Sequence, residues 1–273
     1  MSQTVRSADG TTIAYDRFGS GPALIYVGGA TMTRNSDPDL SALLAERFTV
    51  FCFDRRGRGD SGDPMPPGAP AQNEERAAAS EVEDVAALIA EAGGSAMLYG
   101  MSSGGALALE ATASGLPVTR LAIYEAPFAE DSPAQRKGAA EYATRLTELL
   151  GEGRRGDAAA LFMSITGMPE ETVAQIRNMQ TWAAMEAVAP SLAYDAAVLR
   201  YYSRGGTVPV ESLAAVTVPT LALSGGDSPA FFGSAAQKIA DGVLNGEHRV
   251  LAGQTHYVDP HVLSAALIEF LGA

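Results

Sequence analysis

This 273-residue chain contains one cysteine, Cys52, three histidines and one tryptophan. A single thiol cannot close an internal disulfide, and its place in an apolar stretch marks Cys52 as a small core residue. No apolar run approaches the ~20 residues needed to cross a bilayer. The opening Met1-Ser2-Gln3-Thr4-Val5-Arg6 lacks the basic-then-apolar pattern of an export signal, so a cytoplasmic location is expected. Positive charge is also scarce. The chain has 19 Lys and Arg against 32 Asp and Glu, a formal net charge of −13. Such an excess repels phosphate backbones and anionic membrane surfaces, which argues against nucleic acid or membrane partners and otherwise reads as solubility. Metal-binding clusters, paired cysteines and phosphate-cradling loops are missing from the pattern, so no cofactor and no metal are expected.

What is present is ordinary globular composition, 47% hydrophobic and 19% charged, long enough for one large α/β domain or a core carrying an inserted piece. Two alternating segments around Asp9-Gly10 read as a hairpin. A buried-strand run follows, Ala23-Leu24-Ile25-Tyr26-Val27, then a helix over 39–46 and a second apolar strand over 48–53. Residues 54–72 read as a loop rich in Gly, Pro and Arg. An amphipathic helix spans 75–92, and strands are expected at 96–99 and 121–124. Between 129 and 211 the strand-like runs stop, and helical patterns cover 133–150, 156–165, 169–179 and 182–200, the last broken at Pro190. Alternation resumes with a strand at 219–223, a helix at 230–241, a strand at 248–251 and a last helix at 260–271. Strands alternating with helices of this length imply an α/β fold, a mostly parallel central sheet of about eight strands with helices on both faces. The core takes residues 1–128 and 212–273, and 129–211 form an all-helical lid inserted between the sixth and seventh strands.

One turn is more informative than the rest. Tyr99-Gly100-Met101-Ser102-Ser103-Gly104-Gly105 lies between an apolar strand and the Ala-rich helix former Ala106-Leu107-Ala108-Leu109. A serine flanked two residues away on each side by glycine, where a strand reverses into a helix, holds its hydroxyl clear of the sheet edge in a strained backbone. A Cβ at either glycine would collide with neighbouring backbone. The helix that follows aims its first amides at the same spot. Ser102 therefore reads as a nucleophile, and Ser103 does not, because the glycines frame only the first of the pair.

These residues resemble the α/β-hydrolase superfamily over nearly the whole chain. Gly19-Ser20-Gly21-Pro22 and the five apolar residues after it look like that family's approach to its oxyanion loop, where His-Gly usually comes next. Here Gly28 stands at the histidine position and Gly29 at the glycine. The resemblance then implies that Ala30 offers the backbone N–H that joins that of Ser103 in an oxyanion hole. Asp54-Arg55-Arg56-Gly57-Arg58-Gly59-Asp60-Ser61 is similar to the family's loop after the next strand, and Asp54 with its arginines reads as a structural ion-pair network. Of the three histidines, His256 falls in the loop beyond the last strand, where the family keeps its base. The acid has two candidates. Chain order favours Asp227, in Ser224-Gly225-Gly226-Asp227-Ser228-Pro229, although the family spacing counted from Gly225 lands on Ser228. The rival is Glu125, at the tip of the sixth strand, where some members carry their acid.

The reaction implied is acyl transfer. Ser102 attacks an ester, lactone or thioester carbonyl while His256 takes its proton, and water then releases the acyl group. Members of the superfamily that attack with aspartate are excluded by the serine. Trp182, Met179, Met185 and Tyr194, with Phe162, Met163 and Met168, could line an apolar substrate pocket in the lid or merely fasten its helices. The same triad also serves perhydrolases, C–C hydrolases and lyases, and a non-catalytic ligand-binding or biosynthetic member of the fold is a further alternative.

Overall fold

The computed structural model describes residues 3–272; Met1, Ser2 and Ala273, with the part of the leader reading that rests on them, lie outside the described residues. The chain begins with a hairpin of β1 (Gln3–Arg6) and β2 (Thr12–Phe18). Its turn is held by the Thr11 amide donating to Asp9 Oδ1 at 2.9 Å, with Gly10 at φ 85°. There follow β3 (Ala23–Val27), α1 (Pro38–Ala45), β4 (Thr49–Phe53), α2 (Ala69–Gln72), α3 (Glu74–Glu91), β5 (Ala96–Met101), α4 (Ser103–Ala113) and β6 (Val118–Tyr124). A helical stretch comes next: α5 (Pro133–Gly151), α6 (Arg155–Ile165), α7 (Glu170–Arg177), α8 (Trp182–Val188), a 3₁₀ turn at Ala189–Ser191, α9 (Leu192–Val198) and α10 (Val210–Leu213). The chain closes with β7 (Pro219–Gly225), α11 (Ala230–Gly242), β8 (Asn245–Leu251) and α12 (Pro260–Leu271).

The eight strands form one sheet in the order β1-β2-β4-β3-β5-β6-β7-β8. Only the β1–β2 and β2–β4 pairs are antiparallel. Side chains alternate between its two faces, as the strand period of two requires. Leu24, Tyr26, Val50, Cys52, Tyr99 and Tyr124 pack with Leu40, Leu44, Leu263 and Leu267 of α1 and α12. Ile25, Val27, Phe51, Leu98 and Ile123 face the other way, onto Val85, Leu88, Leu107 and Ile239 of α3, α4 and α11. Cys52 is buried, and burial pushes its thiol up to about 11 although Ser41 hydrogen-bonds to it. No helix among the described residues is long and apolar enough to cross a membrane.

Several boundaries differ from the sequence expectation. The stretch read as a loop after β4 contains α2. Pro169 stands just before α7 with extended backbone (ψ 144°) rather than in its first turn, and Pro190 sits within the 3₁₀ turn. Strand β8 starts three residues before the expected 248, at Asn245, with Asn245, Gly246 and Glu247 exposed at the edge of the sheet. Polar edge residues carry no burial signal, and they also discourage pairing with another chain.

The hairpin turn generates a pH prediction. Burial works to raise the Asp9 carboxyl, but hydrogen bonds from Thr11 and the Arg56 guanidinium outweigh it and hold the group down at about 2, against an ordinary value of 3.8. Between those values the unfolded chain binds the proton and the native chain does not, so stability rises with pH there. The contribution is complete above the unfolded value and is lost as pH falls through the folded one. The Asp9→Asn variant should therefore show a shallower loss of stability between pH 4 and pH 2 in urea titrations, and a small deficit at neutral pH.

Candidate active site

At the end of β5 the backbone of Ser102 takes φ 55° and ψ −128°, a region that L-residues enter only under constraint. The constraint is backbone packing on both sides. A Cβ on Gly104 would lie 2.1 Å from the Val27 carbonyl oxygen and 2.5 Å from that of Gly28, and one on Gly100 would lie 2.5 Å from the Gly104 oxygen. The Ser102 amide donates to the Tyr124 carbonyl at 2.9 Å, tying the turn to the tip of β6. Ser102 itself is half-buried, whereas Ser103 is buried and its hydroxyl donates to Asp195 Oδ1 at 2.7 Å. As the first residue of α4, Ser103 has an amide with no acceptor inside its own helix. The Gly28-Gly29-Ala30 loop abuts this turn, since a Cβ on Gly29 would stand 3.0 Å from Ser102 Cβ.

One residue beyond Tyr124, Glu125 also has a positive φ, 47°. Its carboxylate is buried, with Oε1 accepting from the Gly225 amide at 2.7 Å and Oε2 lying 2.8 Å from His256 Nδ1. The imidazole is about one-third exposed, at 31%, and stacks on Phe232 with ring centroids 4.9 Å apart. Its loop is held from below by the Tyr124 hydroxyl, which donates to the Thr255 carbonyl at 2.5 Å. Asp227, favoured by chain order, is exposed; its amide donates to Gln254, and it makes no side-chain hydrogen bond to His256 among the described residues. Ser228, where the family spacing falls, has its hydroxyl buried without a partner among the described residues. The carboxylate against His256 is thus that of Glu125. The other histidines lie elsewhere. His248 bonds Ser224 and Gln237, with burial pushing its pKa down, and His261 is exposed at the start of α12.

Behind the turn lies a buried charged cluster that absorbs the arginines of the loop after β4. Arg55 pairs bidentately with Glu81 at 2.6–2.7 Å, and Arg56 pairs likewise with Asp84, both contacts at 2.7 Å. Arg55 and Arg58 both reach Asp195 of α9, at 2.7–2.9 Å. Burial works to raise the Asp195 carboxyl, and Arg58, Arg55 and Ser103 together hold it below its ordinary value. Asp54 accepts from the amides of Arg34 and Asp60 and is paired with the Arg34 guanidinium, so it is structural as well. Glu81, Asp84 and Asp195 carry no local motif; Glu81 and Asp84 lie on the buried side of α3, and Asp195 lies on α9, all of whose residues are buried.

Of the residues that could line a pocket or fasten the lid helices, Phe162, Trp182 and Met185 pack against one apolar cluster and the others lie apart from it. Tyr194 is 1% exposed and donates to Asp63, so it is a packing residue, while Met179 is 55% exposed. Met185 and Phe162 pack against the apolar cluster of α5, α6 and α9, which Ala30 also joins, whereas Met163 is buried within α6 and Met168 is half-buried beyond it. Trp182 borders a surface cavity of about 590 Å³ with Arg154, Arg155, Asp157, Arg177 and Glu186, and none of Ser102, Glu125 and His256 lines it.

Comparisons with known proteins agree on the architecture. A model of the Alpha/beta hydrolase family matches residues 24–269. The crystal structure of an alpha/beta hydrolase from Sphaerobacter thermophilus DSM 20745 is 46% identical, covering 98% of this chain and 100% of that one, with a TM-score of 0.84. A thermophilic esterase from Thermogutta terrifontis shares the fold at 22% identity and a TM-score of 0.70, covering 100% of this chain and 98% of that one. So does a 2-hydroxy-6-oxo-6-phenylhexa-2,4-dienoate hydrolase from Rhodococcus sp. strain RHA1, at 17% identity and a TM-score of 0.67 with full coverage of both.

Adding one methyl group tests how tightly the turn is built. Gly104→Ala should cost about 3 kcal/mol of unfolding free energy, because the new Cβ meets two backbone carbonyls that cannot both retreat. Gly138→Ala, inside α5 with nothing within 4 Å of the added atom, should instead stabilise by about 0.5–1 kcal/mol. Urea unfolding of both variants measures the contrast.

Proposed function

The chain belongs to the alpha/beta hydrolase family, and from that premise we propose that it is a serine hydrolase cleaving a carboxylic ester, lactone or thioester of a small, largely apolar molecule. The observation that carries the reading is the convergence at the tip of β6. The strand's last carbonyl receives the Ser102 amide, and its next residue, Glu125, holds the imidazole of His256. A carboxylate accepts from Nδ1–H, which leaves the Nε2 lone pair available as a base. His256 takes the proton of Ser102 as its oxygen attacks the carbonyl, and Glu125 stabilises the imidazolium that forms. The amides of Ala30 and Ser103 receive the oxyanion, each lowering the barrier by about 3–4 kcal/mol. His256 then protonates the leaving group and activates the water that frees the acid. Residues 129–211 act as a lid, and the apolar cluster beside Ala30 favours an apolar acyl group.

A fluorophosphonate probe tests the nucleophile. Labelling should vanish in Ser102→Ala and persist in Ser103→Ala; labelling retained by the first variant would refute the assignment. Turnover of a p-nitrophenyl ester tests the acid. Glu125→Gln should lose on the order of 10⁴ in kcat, as when a triad carboxylate is neutralised, while Asp227→Asn should stay within a few-fold of the parent. The reverse ranking would return the role to Asp227. Running esters, lactones and thioesters in parallel then identifies the preferred acyl class.

A further inference from the structure

We propose that Asp195, supplied by the helical insert, is a positioning residue that orients both backbone donors of the oxyanion hole, an inference that rests on the serine-hydrolase reading above. The hydrogen bonds trace it. Asp195 Oδ1 accepts from the Ser103 hydroxyl at 2.7 Å, which holds the first residue of α4, the owner of one donor amide. The same carboxylate receives Arg58 Nη2 on both oxygens, at 2.9 and 2.8 Å. The other nitrogen of that fork, Nη1, donates to the Gly29 carbonyl at 2.5 Å and the Met32 carbonyl at 3.2 Å. The Gly29 carbonyl and the Ala30 N–H belong to one planar peptide unit and point in opposite directions across it. A guanidinium gripping the carbonyl from one side therefore aims the Ala30 N–H to the other, and a charged donor on that oxygen polarises the amide further. The loop runs against Ser102, with an added Cβ on Gly29 meeting Ser102 Cβ at 3.0 Å, so a tilt of this peptide is felt at the nucleophile.

Three facts make Asp195 the hub of this arrangement. Arg58 is fully buried and aligned by Ser191 Oγ at 3.0 Å, and Asp195 is its acidic partner. Arg55 joins the same carboxylate at 2.7 Å and is itself gripped by Glu81, so two cations and two anions balance. Finally, α9 packs on α3 and α4, which fixes the height of the carboxylate relative to the turn. Bulk stability does not call for such a cluster, since apolar side chains of equal volume commonly serve as well or better. What the charged cluster adds is direction, and here it is directed at two peptide units. The insert thus has a part in the chemistry through a contact that never reaches the substrate.

The full-length enzyme acting on a p-nitrophenyl ester provides the test. In Asp195→Asn, kcat should fall about tenfold to a hundredfold with KM within about threefold, because a misaligned oxyanion donor weakens the transition state and not the ground state. The inhibition constant of an aryl trifluoromethyl ketone, which adds the serine oxygen to form an oxyanion, should rise in step with the loss of kcat/KM. That of the parent methyl ketone should hardly move. Arg58→Lys keeps the charge but not the fork, and should show the same pattern; it decides the matter alone if Asp195→Asn does not fold. The double variant should lose little beyond the worse single one, because both act through one chain of bonds. Folded variants with the parent's kcat, or a loss confined to KM, overturn the inference. Failure of Ser102→Ala to abolish turnover would instead overturn the hydrolase reading itself.

Discussion

The approach of the first turn of α4 to the ends of β3 and β5 is the contact on which the rest of this molecule depends. There, backbone meets backbone without intervening side chains: Gly104 against the carbonyls of Val27 and Gly28, and Gly100 against Gly104 and Gly105. That packing keeps Ser102 at a φ of 55°, and the hydrogen bond to Tyr124 shares the constraint with β6. Strain of this kind persists only where surrounding structure over-determines it. The parallel sheet provides that surrounding, because successive strands end at the same edge and bring their following loops together.

Glu125 extends the same logic. A buried carboxylate is costly unless its oxygens are hydrogen-bonded, and both are: one by the Gly225 amide at the end of β7, the other by His256 from the loop after β8. Three successive strand ends are thereby joined through one side chain. Asp227 stands close by in sequence to the expected place but points to solvent, where a charge needs no partner. The difference between the two carboxylates is therefore one of desolvation. The group that is out of water is the one with specific partners.

The helical insert is bound to the core by charge as well as by apolar contact. Its α9 brings Asp195 to Arg55 and Arg58, while α5, α6 and the 3₁₀ turn share an apolar cluster that reaches Ala30. Aromatic and methionine residues on these helices had two readings, lining a pocket or fastening the helices. Tyr194 packs against Asp63 and Arg56, and Trp182, half-buried, lies between that apolar cluster and the Arg177 guanidinium. Helical periodicity reports which side of a helix is apolar, not whether that side meets substrate or a neighbouring helix.

Read alone, the residues determined the α/β architecture, the run of helices between the sixth and seventh strands, the strand–turn–helix around Ser102, and the loop that carries His256. Each of these is written in local pattern: alternation along strands, periodicity along helices, and glycines at fixed offsets where backbone must pass close. The partner of His256, and the contact of Asp195 with Arg58 and Ser103, were decided only by tertiary structure. Glu125 and His256 are 131 positions apart, and Ser103 and Asp195 are 92 apart. Nothing local distinguishes a carboxylate that will be buried against a cation from one that will stay in water. That distinction is made by sheet register and helix packing, which settle which charges leave solvent together.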